Sequence, residues 1–264
     1  MSSSKQFSEN LWALILGASS GFGAGCALEL ARRGMNVFGV HLDRASTMPN
    51  VEKLVNEIRA SGVNATFFNM NASDVVKRNE TLDAIQRELS STPGSSIKTI
   101  VHSLAFGTLR PYIASKPEEM MNQAQVEMTL DVMAHSLVYW VQGAFSRGLI
   151  KPGGRIFAMT SSGSHTVLPN YGAVSAAKAS LESHIRQLAM EFGPYGVTAN
   201  SILAGVTDTP ALRKIPGANQ MIEIATGKNP QMRLTTPEDV ARAIALLSHD
   251  DAYFISGNVI GVDA

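Results

Sequence analysis

A single cysteine, Cys26, in 264 residues leaves no partner for an intramolecular disulfide, which fits a reducing compartment. It falls in a helical stretch expected to be buried, where a cysteine is a small apolar filler rather than a nucleophile. Neither sign of charge predominates: Lys+Arg and Asp+Glu are each 22, so no broad basic surface for nucleic acid or an anionic membrane is expected. Hydrophobic residues make up 45% of the chain, yet no apolar run reaches the ~18 residues of a membrane span. The opening MSSSKQFSEN lacks the apolar core of a signal peptide. No metal site is expected. These absences point to a soluble, cytoplasmic protein, and the length to one α/β domain, 1–264, with a sizeable core.

What is present alternates between short apolar runs and amphipathic stretches. Strands are expected at 11–16, 35–42, 65–71, 97–102, 154–160, 197–203 and 258–262, with helices between them, and no repeat or linker interrupts the series. That pattern predicts a doubly wound Rossmann fold, α/β, with a seven-stranded parallel sheet. One long, mostly apolar helix is expected over 123–148. Residues 204–232, rich in Gly, Pro and Met, show little regular pattern and suggest a substrate-covering loop.

The first strand runs into Gly17-Ala18-Ser19-Ser20-Gly21-Phe22-Gly23 and then a helix. Strand, glycine turn and helix together make a cradle for a pyrophosphate: Gly17 allows the tight turn, and Gly21 and Gly23 allow close approach of backbone and helix. Asp43 and Arg44 follow about twenty residues later, where the adenosine ribose of a dinucleotide is read. An aspartate there favours NAD and an arginine NADP. Both are present, and both also fit solvated loop charges. The position at the strand's end that would hold an NAD-selecting acid aligns with His41. Asp43 is then expected outside the ribose site or holding Arg44, and the cofactor to be NADPH rather than NADH.

A Ser-rich turn, Thr160 to Ser164, precedes YGAVSAAK, Tyr171 to Lys178, and then an apolar-periodic stretch. Tyr171 and Lys178 are expected on one helix, about two turns apart on a shared face. A phenol beside an ammonium suggests a proton donor with a lowered pKa. Taken alone, the pair also fits a core aromatic and a solvated charge.

With the glycine turn, the HSLAFG turn, the Ser-rich turn, the Tyr–Lys helix and the AGVTDT turn in one order, the chain resembles the short-chain dehydrogenase/reductase family over nearly its whole length. Ordinary members carry Tyr four residues before Lys, where Val174 stands here. The Tyr is instead seven residues before Lys178, as in bacterial enoyl-acyl-carrier-protein reductases, and PNYGAVSAAKASLE and VHSLAFG look like that subgroup. Ser161 occupies the position seventeen residues before the Lys, where the common type I enzyme has a second Tyr. SSGS and GTLRP look more like the type III, NADPH-using reductase. The ordinary tetrad's Asn falls near Met133, which argues against an ordinary ketoreductase.

The resemblance implies an NADPH-dependent reductase of the trans-2 double bond of an enoyl thioester in fatty-acid synthesis, the substrate carried on acyl carrier protein and the enzyme a homotetramer. Tyr171 would donate to the enolate oxygen, and Lys178 would hold the nicotinamide ribose and lower the Tyr pKa. Ser161 would either touch substrate or only shape its turn. Further cofactor contacts are implied at Ser19, Ser20, Phe22, Asn71 and Ala72, at Ser103 and Ala105, and at Gly205, Thr207 and Thr209. Two alternatives stand beside this reading: another reductase of the family, acting on 3-ketoacyl or enoyl-CoA thioesters, and a dinucleotide-binding regulator without catalysis.

Overall fold

The computed structural model describes residues 5–215 and 217–264. Seven strands form one sheet: β1 (Leu11–Leu16), β2 (Asn36–His41), β3 (Ala65–Asn69), β4 (Ser96–His102), β5 (Ile150–Thr160), β6 (Thr198–Ala204) and β7 (Val259–Val262). Their order is β3-β2-β1-β4-β5-β6-β7, and every pairing is parallel. The connecting helices are α1 (Gly21–Arg32), α2 (Met48–Ala60), α3 (Val75–Ser90), α4 (Gln123–Leu130), α5 (Ser136–Ser146), α6 (Gly172–Phe192), α7 (Ala218–Lys228) and α8 (Pro237–Leu247).

Because successive strand side chains point to opposite faces, β1 feeds two cores. Trp12, Leu14 and Leu16 join a cluster with Leu82 of α3, Trp140 of α5 and Leu181 of α6. Ala13 and Ile15 join the other cluster, with Leu30 of α1, Ile58 of α2 and Ile244 of α8. Both faces being covered explains why LWALIL reads as a continuous apolar run rather than an alternating one. Cys26 lies wholly buried in the second cluster, and burial pushes its thiol up to about 12.

Two stretches add to the sequence expectation. The long helix expected over 123–148 runs continuously from α4 into α5 through a π turn at Asp131–His135. Within 204–232, the described residues include a 3₁₀ turn at Leu212–Lys214 and the helix α7. No helix among the described residues is long and apolar enough to cross a membrane.

Candidate active site

The carboxyl ends of the strands open on one cavity of about 1280 Å³. It spans the point where the strand order reverses, with β2 and β4 on either side of β1; chains leaving adjacent strands for opposite faces leave a crevice there. Of the residues singled out from the sequence, Gly17, Ser19, Ser20, Gly21, Phe22, Arg44, Asn71 and Ala72 line one part of it. Ser103, Ala105, Ser161, Tyr171, Lys178, Gly205, Thr207 and Thr209 line the rest. Gly23 does not: it sits behind the cradle, where a Cβ would come 2.0 Å from the Gly17 carbonyl oxygen.

The glycine turn is built by close packing. Gly17 has φ +89°, and a Cβ there would meet the Ser103 carbonyl oxygen at 2.5 Å. α1 then starts facing the cavity. Its N-cap Ser20 makes no side-chain cap hydrogen bond and its first turn holds no acid, so its leading N–H groups remain available. That is the donor set for a pyrophosphate.

At the end of β2 the structure gives Asp43 partners other than Arg44. Its carboxylate lies 3.0 Å from His41 Nδ1 and accepts from Thr47 Oγ1 at 2.7 Å. Asn69 of β3 grips its backbone through both the N–H (2.9 Å) and the carbonyl (3.0 Å). Burial works against the charge, but hydrogen bonds from Thr47, Ser19 and His41 outweigh it and hold the carboxyl below its ordinary value. Asp43 therefore lines the cavity itself and does not hold Arg44, which is exposed on the rim with no carboxylate partner among the described residues.

The Tyr–Lys pair is brought to the opposite part of the cavity. Tyr171 is the N-cap of α6 rather than a residue within it, and it is only 8% exposed. Gly163 fits under its ring: a Cβ there would lie 2.6 Å from Tyr171 Cε1. Ser161 shapes this turn by accepting from the Gly163 N–H at 3.0 Å. Burial raises the Tyr171 pKa and the Ser161 hydroxyl partly opposes it; Lys178 does not lower it, contrary to the expectation from spacing. The phenol thus stays protonated at neutral pH, as a donor must.

Lys178 is buried and donates to the Met159 carbonyl at 2.6 Å. Desolvation lowers its pKa to about 8, against the opposing pull of Glu182. His102, at the end of β4, is fully buried with Nε2 2.9 Å from Ser136 Oγ. Burial and then the Lys178 charge depress it to about 3, so it is neutral. Val174, where an ordinary family Tyr would stand, is buried and lines the cavity beside Met133.

Sequence reasoning passed over Gly163, His102 and Glu182. Gly163 and His102 lie in the SSGS and HSLAFG motifs, but their roles come from packing: Gly163 against the Tyr171 ring and His102 against Ser136. Glu182 had a local signal, a carboxylate four residues after Lys178, hidden in a stretch that reads as an amphipathic helix.

Comparison with known proteins agrees with this geometry. The family model described as "Enoyl-(Acyl carrier protein) reductase" matches residues 17–264. The chain is 28% identical over 259 residues to a 3-oxoacyl-[acyl-carrier-protein] reductase of Pseudomonas aeruginosa, covering 95% of each. It is 29% identical to a 1-cyclohexenylcarbonyl-CoA reductase of Streptomyces collinus, covering 95% of this chain and 84% of that one. An enoyl-(acyl-carrier-protein) reductase from Anaplasma phagocytophilum, solved with NAD, superposes with a TM-score of 0.80 at 21% identity, covering 97% and 91% of the two chains. A match over nearly the whole length, on a sheet and cavity of this form, places the chain in the short-chain dehydrogenase/reductase family, within the branch whose model bears the enoyl-acyl-carrier-protein reductase description.

Proposed function

We propose that the protein is an NADPH-dependent enoyl-thioester reductase whose substrate is carried on acyl carrier protein. The observation that carries this reading is the place of the phenol. Tyr171 is the only tyrosine lining the cavity among the described residues, and the position one turn further along α6 is the apolar Val174. In ketone reduction, hydride and proton reach the two ends of one C=O. In enoyl reduction, the charge collects on the thioester oxygen, further along the substrate from the carbon that is reduced. A donor displaced by about one turn, roughly 4.5 Å, suits the second case.

NADPH, when bound, supplies the hydride. The uncapped start of α1 would hold its pyrophosphate, Lys178 its nicotinamide ribose and Arg44 its 2′-phosphate. Tyr171, kept protonated by burial, would donate to the enolate oxygen. Residues 204–232, several of which line the cavity, would cover the substrate. Met128, Met133, Leu168 and Ile215 give that end the apolar wall an acyl chain requires. We further propose a homotetramer.

A second reading, reduction of a 3-oxoacyl thioester, is favoured by the relative from Pseudomonas aeruginosa named for that reaction. Incubation with NADPH and either crotonyl or acetoacetyl thioester, followed by the absorbance of the reduced nicotinamide, separates the two. Consumption with the crotonyl compound alone is expected. Consumption with acetoacetyl alone would reverse the assignment. NADPH binding without turnover of either would point to a regulator. Tyr171→Phe should lower turnover about 10²–10³-fold with little change in NADPH affinity.

A further inference from the structure

Glu182 is a carboxylate in the interior, 2% exposed, on a helix face that otherwise packs Ala177, Leu181 and Ile185. Its two oxygens are engaged by different residues. Oε1 accepts from Thr160 Oγ1 at 2.5 Å, and Oε2 lies 3.0 Å from His165 Nε2. Thr160 is the last residue of β5 and His165 follows the short turn Ser162–Ser164. One carboxylate therefore grips both ends of the turn that carries Ser161 and lays Gly163 against the Tyr171 ring. One helical turn earlier on α6, Lys178 donates to Met159, the neighbour of Thr160. Two successive residues of β5 are thus bonded to two successive turns of the helix.

A buried charge persists only when compensated. Across from Glu182, His165 has its side chain 70% exposed and Thr160 is neutral. The buried cation near it is Lys178, four residues away on the same helix face. The titratable groups beside Lys178 other than Glu182 are neutral His102 of β4 and Tyr171 at the start of its own helix. His184, further along α6, is bonded to His135 of the π turn at 3.0 Å.

From this we infer that Glu182 is a positioning residue for the Tyr171–Lys178 pair: its carboxylate clamps the Ser161 turn to α6 and is the counter-charge that keeps Lys178 a cation. The inference rests on the proposed roles of Tyr171 and Lys178, and its test is read on nucleotide binding as well as on turnover.

Glu182→Gln keeps an acceptor for Thr160 and removes the charge. Wild-type NADPH affinity, followed by fluorescence, should fall as pH rises through about 8, where Lys178 loses its proton. In Glu182→Gln that fall should move roughly one unit lower, with turnover reduced about tenfold. His165→Ala leaves the charge pair intact and loosens only the turn. It should lower turnover about three- to tenfold with the NADPH pH dependence unchanged, and His165→Gln, which can still donate, should restore most of it. A folded Glu182→Gln protein with wild-type turnover and pH dependence would overturn the inference. Where that variant does not fold, wild-type turnover in both His165→Ala and Thr160→Val would overturn it instead. Wild-type turnover in Tyr171→Phe would remove the phenol from the chemistry, and the pH dependence of nucleotide binding would then decide the role of Glu182 alone.

Discussion

Substituting Gly163 by alanine tests how closely the turn holds the phenol. Gly163 does not have positive φ, so alanine is allowed by the backbone and the effect is one of contact. The added Cβ would stand 2.6 Å from Tyr171 Cε1, and ordinary contact begins at 3.4 Å. The difference, 3.4 − 2.6 = 0.8 Å, is the distance the ring or the turn must yield. Tyr171 is packed into the core alongside Val174 and Ala177, so the ring's escape is toward the cavity, carrying the hydroxyl with it. A misplacement of about 1 Å at a reacting group lowers rate about 10²-fold, while overpacking of this kind costs about 1–3 kcal/mol of stability. The assay is steady-state reduction of crotonyl thioester, with a thermal melt and an NADPH titration on the same sample. Turnover should drop about 100-fold with NADPH affinity retained. A folded variant within threefold of wild type, on the order of 0.6 kcal/mol, would show that the phenol does not need its present position.

Three further outcomes follow from the same geometry. Lys178→Met should weaken NADPH binding and flatten its pH dependence, since the wild-type loss above about pH 8 reflects the ammonium's deprotonation; a titration matching wild type would remove the ribose contact. Arg44→Ala should raise the KM for NADPH roughly tenfold to a hundredfold and leave that for NADH nearly unchanged, whereas wild-type use of both nucleotides would point to Asp43 on the ribose. Asp239, hydrogen-bonded by Arg233 and closing the α8 capping box, is lowered from 3.8 to about 2. Its contribution is present above pH 3.8 and lost as pH falls through 2. Asp239→Asn should thus lower the melting temperature at neutral pH by about 2 °C, for a loss near 1 kcal/mol, and the difference should shrink as pH falls to 2 and below.

The strand series, the glycine turn and the Tyr–Lys spacing were legible without any fold because each is a local pattern: period, turn residues and sequence separation suffice for them. The family resemblance, not the spacing alone, identified Val174 as the displaced position. Contacts across the fold carried no such trace. Tyr171 stands at the N-cap of α6, with the Ser161 turn packed beneath its ring. That its pKa rises depended on burial, which spacing along a helix does not encode. Asp43 is expected outside the ribose site or on Arg44 because the acid's position aligns with His41; its bonds to His41 and Thr47 are local, but Asn69 reaches its backbone only once β2 and β3 pair. Glu182 shows the division most clearly. The chain alone determined that a carboxylate sits one turn beyond Lys178. Only the tertiary structure decided that this turn of helix faces inward, against the end of β5, where desolvation makes one charge answerable to another.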